Sequence, residues 1–216
     1  TDTVELIDIH RFHNPWEKLA SLDLRHGHTS VIDTYLTHGR IRDGDTETMT
    51  DAAYAAWRAD RDAGRITVLI AETREQVTAL NERARADLLI DGTLTQDREV
   101  ELRDGTRAGI GDTVITRRNA RQIAASNGTD WVRNGDIWTI TDVRGDGSLT
   151  IRRPGRSYGG AIVLPASYVA EHVDLGYAVT AHRAQGVTTD TAHVLVEPTA
   201  TRENFYVSMT RGRAAN

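Results

Sequence analysis

The feature that most constrains this chain is a strand pattern that starts, is interrupted, and resumes. Ile66-Thr67-Val68-Leu69-Ile70-Ala71 is a short apolar, β-branched run, the signature of a strand buried on both faces of a parallel sheet. Thr73-Arg74-Glu75-Gln76 then reads as a capping box, followed by Val77, Leu80, Ala84 and Leu88 at helical spacing. From about Thr95 the texture changes to short strands separated by glycine turns such as Asp104-Gly105, Gly111-Asp112, Asn134-Gly135 and Asp146-Gly147. Beyond Asp174 the first texture returns, with Ala192-His193-Val194-Leu195-Val196 as a second buried strand and a helix predicted from Arg202 to Thr210. The pattern predicts an α/β domain, discontinuous at about 1–94 and 173–216, with a small β-barrel inserted at about 95–172.

Three helices are expected ahead of the first strand. Asn14-Pro15-Trp16-Glu17 supplies a cap, a first-turn proline and an early acid, which predicts a helix from Pro15 to about Arg25, stopped by Gly27. A second is expected from Ser30 to His38, and a third from Asp51 to about Asp62 behind Thr50, burying Tyr54 and Trp57. In the inserted segment, Val114-Ile115, Trp138-Thr139-Ile140, Leu149-Thr150-Ile151 and Ala161-Ile162-Val163-Leu164 are the strand candidates. Trp138 alternates into the core there, and Trp131, beside Asn134-Gly135, is the ring expected at the surface.

Composition narrows the chemistry. With no cysteine there can be no disulfide, thiolate nucleophile or cysteine-held metal. No apolar run approaches the roughly 18–20 residues that span a bilayer, and Thr1-Asp2-Thr3 opens no leader pattern, so the expectation is a cytoplasmic chain without membrane insertion. A formal charge of −5 argues against binding nucleic acid through bulk positive potential. Contacts would have to come from local clusters: Arg117-Arg118-Asn119-Ala120-Arg121 and Arg152-Arg153-Pro154-Gly155-Arg156, which read equally as solvated surface. Lys18 is the only lysine, so the phosphate-cradling loop G-x-x-x-x-G-K-[ST] is not in this chain. His26-Gly27-His28 has no neighbouring third ligand and reads as a surface loop.

Two long motifs carry a family resemblance. Gly176 to Thr188, reading GYAVTAHRAQGVT, looks like motif V of superfamily-one helicases, and Asn204 to Arg213, reading NFYVSMTRGR, looks like motif VI. Ile9-His10-Arg11-Phe12 is similar to motif IV. Together with Pro15-Trp16-Glu17, Leu80 to Arg85, Val132 to Asp136 and Leu164-Pro165-Ala166, they resemble the RecD-like helicase part of TrwC/TraI-type conjugative relaxases over nearly the whole chain. The resemblance implies a RecA-like second motor domain with an inserted barrel of Src-homology-three shape beside DNA. It also implies ATP and Mg²⁺ in the intact protein, none bound tightly to this piece, and two partners: single-stranded DNA and the N-terminal motor lobe of the same polypeptide. The Asp-Glu pair, nicking tyrosines and three-histidine site of such proteins are not recognisable here, so the chain reads as part of a longer protein, unable to hydrolyse ATP alone.

Roles follow residue by residue. An arginine reaching across a cleft to a transferring phosphoryl group can contribute about 10³–10⁵ in rate, and guanidinium suits this by its fixed charge and planar fork. Arg211 is the first candidate for that catalytic role and Arg11 the second. Gln185, Gly186 and Arg213 are expected at the nucleotide. Thr180, His182, Asn81, Arg83, Arg117, Arg118 and Trp131 are expected at DNA. Thr188 departs from the glutamate that many such motors carry after the Gln-Gly pair. The bland alternatives are a helix cap and solvated charge for Thr210-Arg211, a core histidine for His182 and an exposed helix face for Asn81 and Arg83. At the level of the whole chain, the alternative is a non-catalytic DNA- or protein-binding module on a helicase-like scaffold. An independent hydrolase has no supporting cluster.

Overall fold

The computed structural model describes residues 12–125, 128, 130–155 and 160–216. Helix α1 (Pro15–His26) starts behind Asn14 and ends at Gly27, and α2 (Val31–Thr37) follows. Helix α3 runs Thr46–Asp62 rather than from Asp51, because Asp45 caps it by accepting Thr48 N–H at 2.9 Å. Thr50, the expected cap, instead donates its hydroxyl to Thr46 O within the helix at 2.7 Å. Strand β1 (Thr67–Ala71) and helix α4 (Arg74–Ile90) form the anticipated strand–loop–helix unit, with both halves of the Thr73/Gln76 capping box in place.

The inserted segment contributes β2 (Glu99–Glu101), β3 (Arg107–Gly109), β4 (Thr113–Thr116), β5 (Ala120–Ala124), β6 (Trp131–Val132), β7 (Ile137–Val143), β8 (Leu149–Arg152) and β9 (Ile162–Leu164). Helix α5 (Ala166–His172) leads into β10 (Val173–Leu175). The last elements are β11 (Ala178–Thr180), a 3₁₀ turn (His182–Ala184), β12 (Thr189–Val194), α6 (Arg202–Ser208) and β13 (Gly212–Ala215).

Two main sheets result. The first is parallel, in the order β11-β1-β12-β13. The second is antiparallel, in the order β10-β4-β7-β8-β9, with β2-β3 and β5-β6 as separate two-stranded ribbons and β5 lying against β9. Because β10 pairs with β4, the antiparallel sheet extends to Leu175.

Strand β1 is buried on both faces, as its composition requires. Val68 and Ile70 pack with Val179, Ala181, Ala184 and Val187, while Leu69 and Ala71 join Trp57, Val77, Leu80 and Ala84. The second of these cores continues into the inserted unit through Trp138, Ile140 and Ile151. Trp138 is fully buried, its indole N–H donating to Thr116 Oγ1 at 3.2 Å. A third cluster joins α1, α2 and α6 through Ala20, Leu24, Tyr35 and Met209.

Strand β12 begins at Thr189, earlier than the apolar run at Ala192 suggests. Its first residues are polar but satisfied: Thr191 Oγ1 donates to Thr67 Oγ1 at 2.9 Å, Thr189 Oγ1 donates to Thr191 O at 3.0 Å, and Asp190 N–H donates to Ile66 O at 2.7 Å.

Candidate motor site at the two edges of the parallel sheet

In a parallel sheet all carboxyl ends share one edge. Thr180 ends β11 opposite Ala71 of β1, so it stands at that carboxyl edge. Gly212 begins β13 opposite Thr189 of β12, so Arg211 stands at the amino edge. Residues 181–188 cross from one edge to the other, a span of about 15 Å for strands of this length. The crossing is not a loose loop. Ala181, Ala184 and Val187 pack onto Val68, Ile70 and Val179, and Ala184 O accepts Val187 N–H at 2.9 Å.

At the carboxyl edge Thr180 is half-buried, and its Oγ1 accepts Arg183 N–H at 3.3 Å, which fixes the start of the 3₁₀ turn. His182 is exposed there. Gln185 and Gly186 are exposed further along the crossing, as is Thr188. Gly186 has φ of +91° and opens into free space, so glycine is needed for its backbone conformation.

Helix α6 starts on the carboxyl side of the sheet, where Thr201 caps it by accepting Asn204 N–H at 3.2 Å, and runs back to the amino edge, ending at Ser208, two residues short of Thr210. The Thr210 hydroxyl turns back to Tyr206 O (2.9 Å) and Val207 O (3.1 Å). Gly212 admits no side chain, since an added Cβ would lie 1.9 Å from Ala215 O.

Arg211 does not reach outward as the motif led us to expect. It is 6% exposed, with Nη2 donating to Thr210 Oγ1 at 2.7 Å and Nη1 to Ala184 O at 3.3 Å. The cause is local: the residue lies three positions past the end of α6 and faces the 181–188 crossing, whose Ala184 carbonyl accepts one prong of the guanidinium fork. Arg213, two residues on, is exposed. Arg11 lies outside the described residues.

The expected DNA-contacting residues divide. Asn81 is 6% exposed, and its amide pairs with one residue of β11, donating to Ala178 O at 3.1 Å and accepting Ala178 N–H at 2.9 Å. It therefore completes the outer edge of the sheet, which corrects its placement on a surface. Arg83 is at the surface but crosses to α3, with Nη1 2.5 Å from Asp51 Oδ1 and the guanidinium 4.0 Å from the Tyr54 ring centre. Arg117 is largely buried, its Nε donating to Asp174 Oδ2 at 2.8 Å. Arg118 is exposed, with Nη1 3.2 Å from His172 Nε2. Trp131 is half-buried between Arg133 (4.5 Å) and Arg121 (5.3 Å).

Of the second basic cluster, Arg153 is neutralised by Asp130 (2.8 Å) and Asp136 (2.7 Å), and Arg156 lies outside the described residues. His28 is turned to Asp23 at 3.1 Å, and among the described residues no three histidines or carboxylates stand together as metal ligands.

Two buried aspartates escaped the sequence reading. Asp112 accepts the Tyr177 hydroxyl (2.5 Å), Arg85 Nε (3.0 Å) and Gly109 N–H (2.7 Å). Asp174 accepts three arginines. The signal for Asp174 was an acid flanked by Val173 and Leu175 directly before motif V. A charge inside an apolar strand needs a partner.

Comparison with known proteins agrees with the motifs. A family model described as an AAA domain matches residues 1–46. The chain is 30% identical over 212 residues to a probable conjugal transfer protein TraA of Sinorhizobium fredii, covering 97% of this chain and 18% of that protein. It is 28% identical over 225 residues to the multifunctional conjugation protein TraI of Escherichia coli K12, covering 92% of this chain and 11% of the relative. The chain thus spans less than a fifth of the length of these relatives. Among solved structures it resembles Pif1 helicase from Bacteroides in complex with ADP-AlF3 and single-stranded DNA, with a TM-score of 0.57, 18% identity, and coverage of 98% of this chain and 50% of that one. It also resembles Pif1 helicase from Candida albicans, with a TM-score of 0.56, 13% identity, and coverage of 96% of this chain and 53% of that one. Along nearly its whole length, then, the chain is related to one segment of the TraA and TraI conjugation proteins, and its fold is that of about half of a Pif1 helicase chain.

Proposed function

We propose that this chain is the second motor domain of a conjugative relaxase-helicase and forms one wall of an ATP cleft in ATP-driven movement along single-stranded DNA. The parent domain would comprise about 1–94 and 173–216, and the insertion at about 95–172 would close as a small barrel of Src-homology-three shape. One observation carries the reading: motif V and motif VI meet through the Arg211 to Ala184 contact, with Thr180 and His182 at one edge of the sheet and Arg211 and Arg213 at the other. That arrangement suits a domain that holds a strand on one rim and faces a nucleotide on the opposite side.

Bound ATP with magnesium would supply the phosphoryl group whose transfer drives the motion. This wall would offer it guanidinium groups, the phosphate loop and magnesium-holding acids coming from the partner lobe. Arg213 is already exposed there. Arg211 would exchange Ala184 O for phosphate oxygens, and that carbonyl retains its bond from Val187 N–H. Thr180 and His182 would contact the DNA backbone, with Gln185 and Gly186 between the two rims.

In the protein that joins this chain to its phosphate-loop lobe, Arg211→Ala should lower DNA-stimulated ATP turnover by about 10³ or more. Binding of an oligothymidine should persist. Undiminished turnover would remove Arg211 from the chemistry. The burial of Arg211 favours a second reading, in which it only ties the two motifs together within a non-catalytic binding module. In that case the parent would show no DNA-stimulated turnover, and Arg211→Ala would lower the melting temperature and weaken DNA binding.

A further inference from the structure

Asp174 in β10 gathers three arginines from three parts of the fold. Arg103, in the turn between β2 and β3, grips it with both prongs, Nε to Oδ1 at 2.8 Å and Nη2 to Oδ2 at 2.9 Å. Arg117, just after β4, donates Nε to Oδ2 at 2.8 Å. Arg183, in the 3₁₀ turn of motif V, donates Nη1 to Oδ2 at 3.3 Å. Three cations on one carboxylate leave two positive charges over.

Other ion-pair groups among the described residues lack this surplus. Arg85 faces both Asp112 and Glu99, and Arg133 and Arg153 share Asp130 and Asp136. Asp104, next to Arg103 in the chain, offsets part of that surplus through its charge on Arg103 but makes no ion pair with the cluster, its Oδ1 accepting the Thr106 hydroxyl at 2.6 Å and backbone N–H at 3.1 Å.

The cluster also has a base and a mouth. The side chains of Asp174 and Arg117 are 5% and 10% exposed, whereas those of Arg183 and Arg103 are 26% and 36% exposed. On one side Arg183 adjoins the Thr180–His182 rim. On the other, Arg117 N–H donates to His172 O at 2.8 Å, beside a groove of about 430 Å³ whose lining includes Arg118, Asn119, Gln122, Ser167 and Tyr168 and one acid, Glu171. Burial lowers the Arg117 pKa in spite of Asp174, and Arg183 and Arg103 push it the same way. A second anion would relieve that imbalance.

We infer that Arg103, Arg117 and Arg183, held in a fan by Asp174, form a seat for one phosphate of a single-stranded DNA backbone, shared between the inserted unit and motif V. Guanidinium forks match phosphate oxygens in pairs, and Asp174 spares the arginines the cost of finding that geometry when DNA arrives. The inference rests on the proposed DNA-translocating role and adds to it a contact that joins the insertion to the rim.

The test is fluorescence anisotropy of a labelled oligothymidine against the 216-residue chain over a salt series, with circular dichroism melts to confirm folding. Replacing the two more accessible members, Arg103→Gln with Arg183→Gln, should weaken binding and reduce the salt slope by about 0.7, the share of one phosphate on a single strand. Arg144→Gln, at an exposed turn, should leave the slope unchanged. An unchanged slope in the folded double variant, with binding still weakened by His182→Ala, would overturn the seat and leave the rim reading intact. No binding by the parent chain would overturn the rim reading itself. If inorganic phosphate raises the parent's melting temperature while no oligonucleotide binds, the seat serves free phosphate instead. Polyglutamate displacing the oligonucleotide better than inorganic phosphate at matched ionic strength would assign the cluster to an acidic protein surface and overturn the proposal.

Discussion

Asn81 offers the sharpest separation between a DNA contact and a structural part. In the parallel ladder Leu69 N–H donates to Tyr177 O, so the N–H and C=O of Ala178 point away from β1 to the outer side of β11. No further strand pairs with β11 there among the described residues, and the Asn81 amide takes both groups, at 2.9 and 3.1 Å. Asn81→Ala would leave a buried donor and a buried acceptor without partners, each costing about 1–3 kcal/mol. A net loss of about 3 kcal/mol lowers the melting temperature of a chain of this size by about 6–12 °C. Circular dichroism melts would read the shift, and the salt dependence of oligothymidine binding should not change. Asn81→Asp should lose comparable stability at neutral pH, having no donor for Ala178 O, and should regain part of it on acidification as the carboxyl acquires an O–H. If Asn81→Ala melts with the parent while its DNA binding weakens, the amide pair is not what holds β11, and Asn81 belongs on the DNA-facing surface.

The two constrained glycines of the motifs should respond differently. Gly212→Ala forces a Cβ to 1.9 Å from Ala215 O and should cost on the order of 4 kcal/mol or more, read as loss of the urea-unfolding baseline, whereas Gly186→Ala meets no atom and carries only the positive-φ penalty of about 1–2 kcal/mol. His193 should make stability pH-dependent: burial depresses its pKa below 6.5 and outweighs the bond to Asp60 at 2.9 Å. The unfolded chain therefore binds the proton first, so this contribution is full above pH 6.5 and declines as pH falls through 6.5 toward the lower folded value. His193→Gln should flatten that part of the urea-midpoint profile, and an unaltered profile would remove His193 as its source.

What the sequence disclosed and what it withheld differ by the range of the interactions involved. Strand β1 and the Thr73/Gln76 box were legible because their causes lie within a few residues, as were the proline start and glycine stop of α1. The amino end of β12 was not, because Thr189 and Thr191 look like loop residues until Thr67 and Ile66 are brought alongside. Helix α3 began early for a related reason: Asp45 and Thr50 are both plausible caps, and only the backbone path chooses between them. At the site, motif order placed Thr180 and Arg211 on connected elements, but side-chain direction was invisible. Asn81 and Arg83 share a helix, yet one fastens β11 and the other crosses to Asp51. Asp174 was the larger omission, since its partners lie 71, 57 and 9 residues away in the chain.

Those long-range contacts give the proposed coupling a physical route. The 181–188 crossing touches both edges of the sheet, and Ala181 and Ala184 hold its first part to β1 and β11 as Val187 holds its last, so displacement at one end cannot be absorbed within either packed part. The compliant point is the exposed Gln185-Gly186 pair, where a positive φ reverses the chain and no Cβ restricts it. A pull on Arg211 acts on Ala184, immediately before that joint, while Arg183, one residue earlier, is held by Asp174 and through it by Arg103 and Arg117. Motion started at the amino edge would therefore be shared between the DNA rim and the inserted unit. Cutting the Arg183 to Asp174 link by Arg183→Gln should then, at DNA concentrations that saturate the weakened binding, lower strand movement more than ATP turnover in the intact motor and so shorten the distance unwound per ATP. Proportional loss of both would show that the crossing transmits nothing through the insertion.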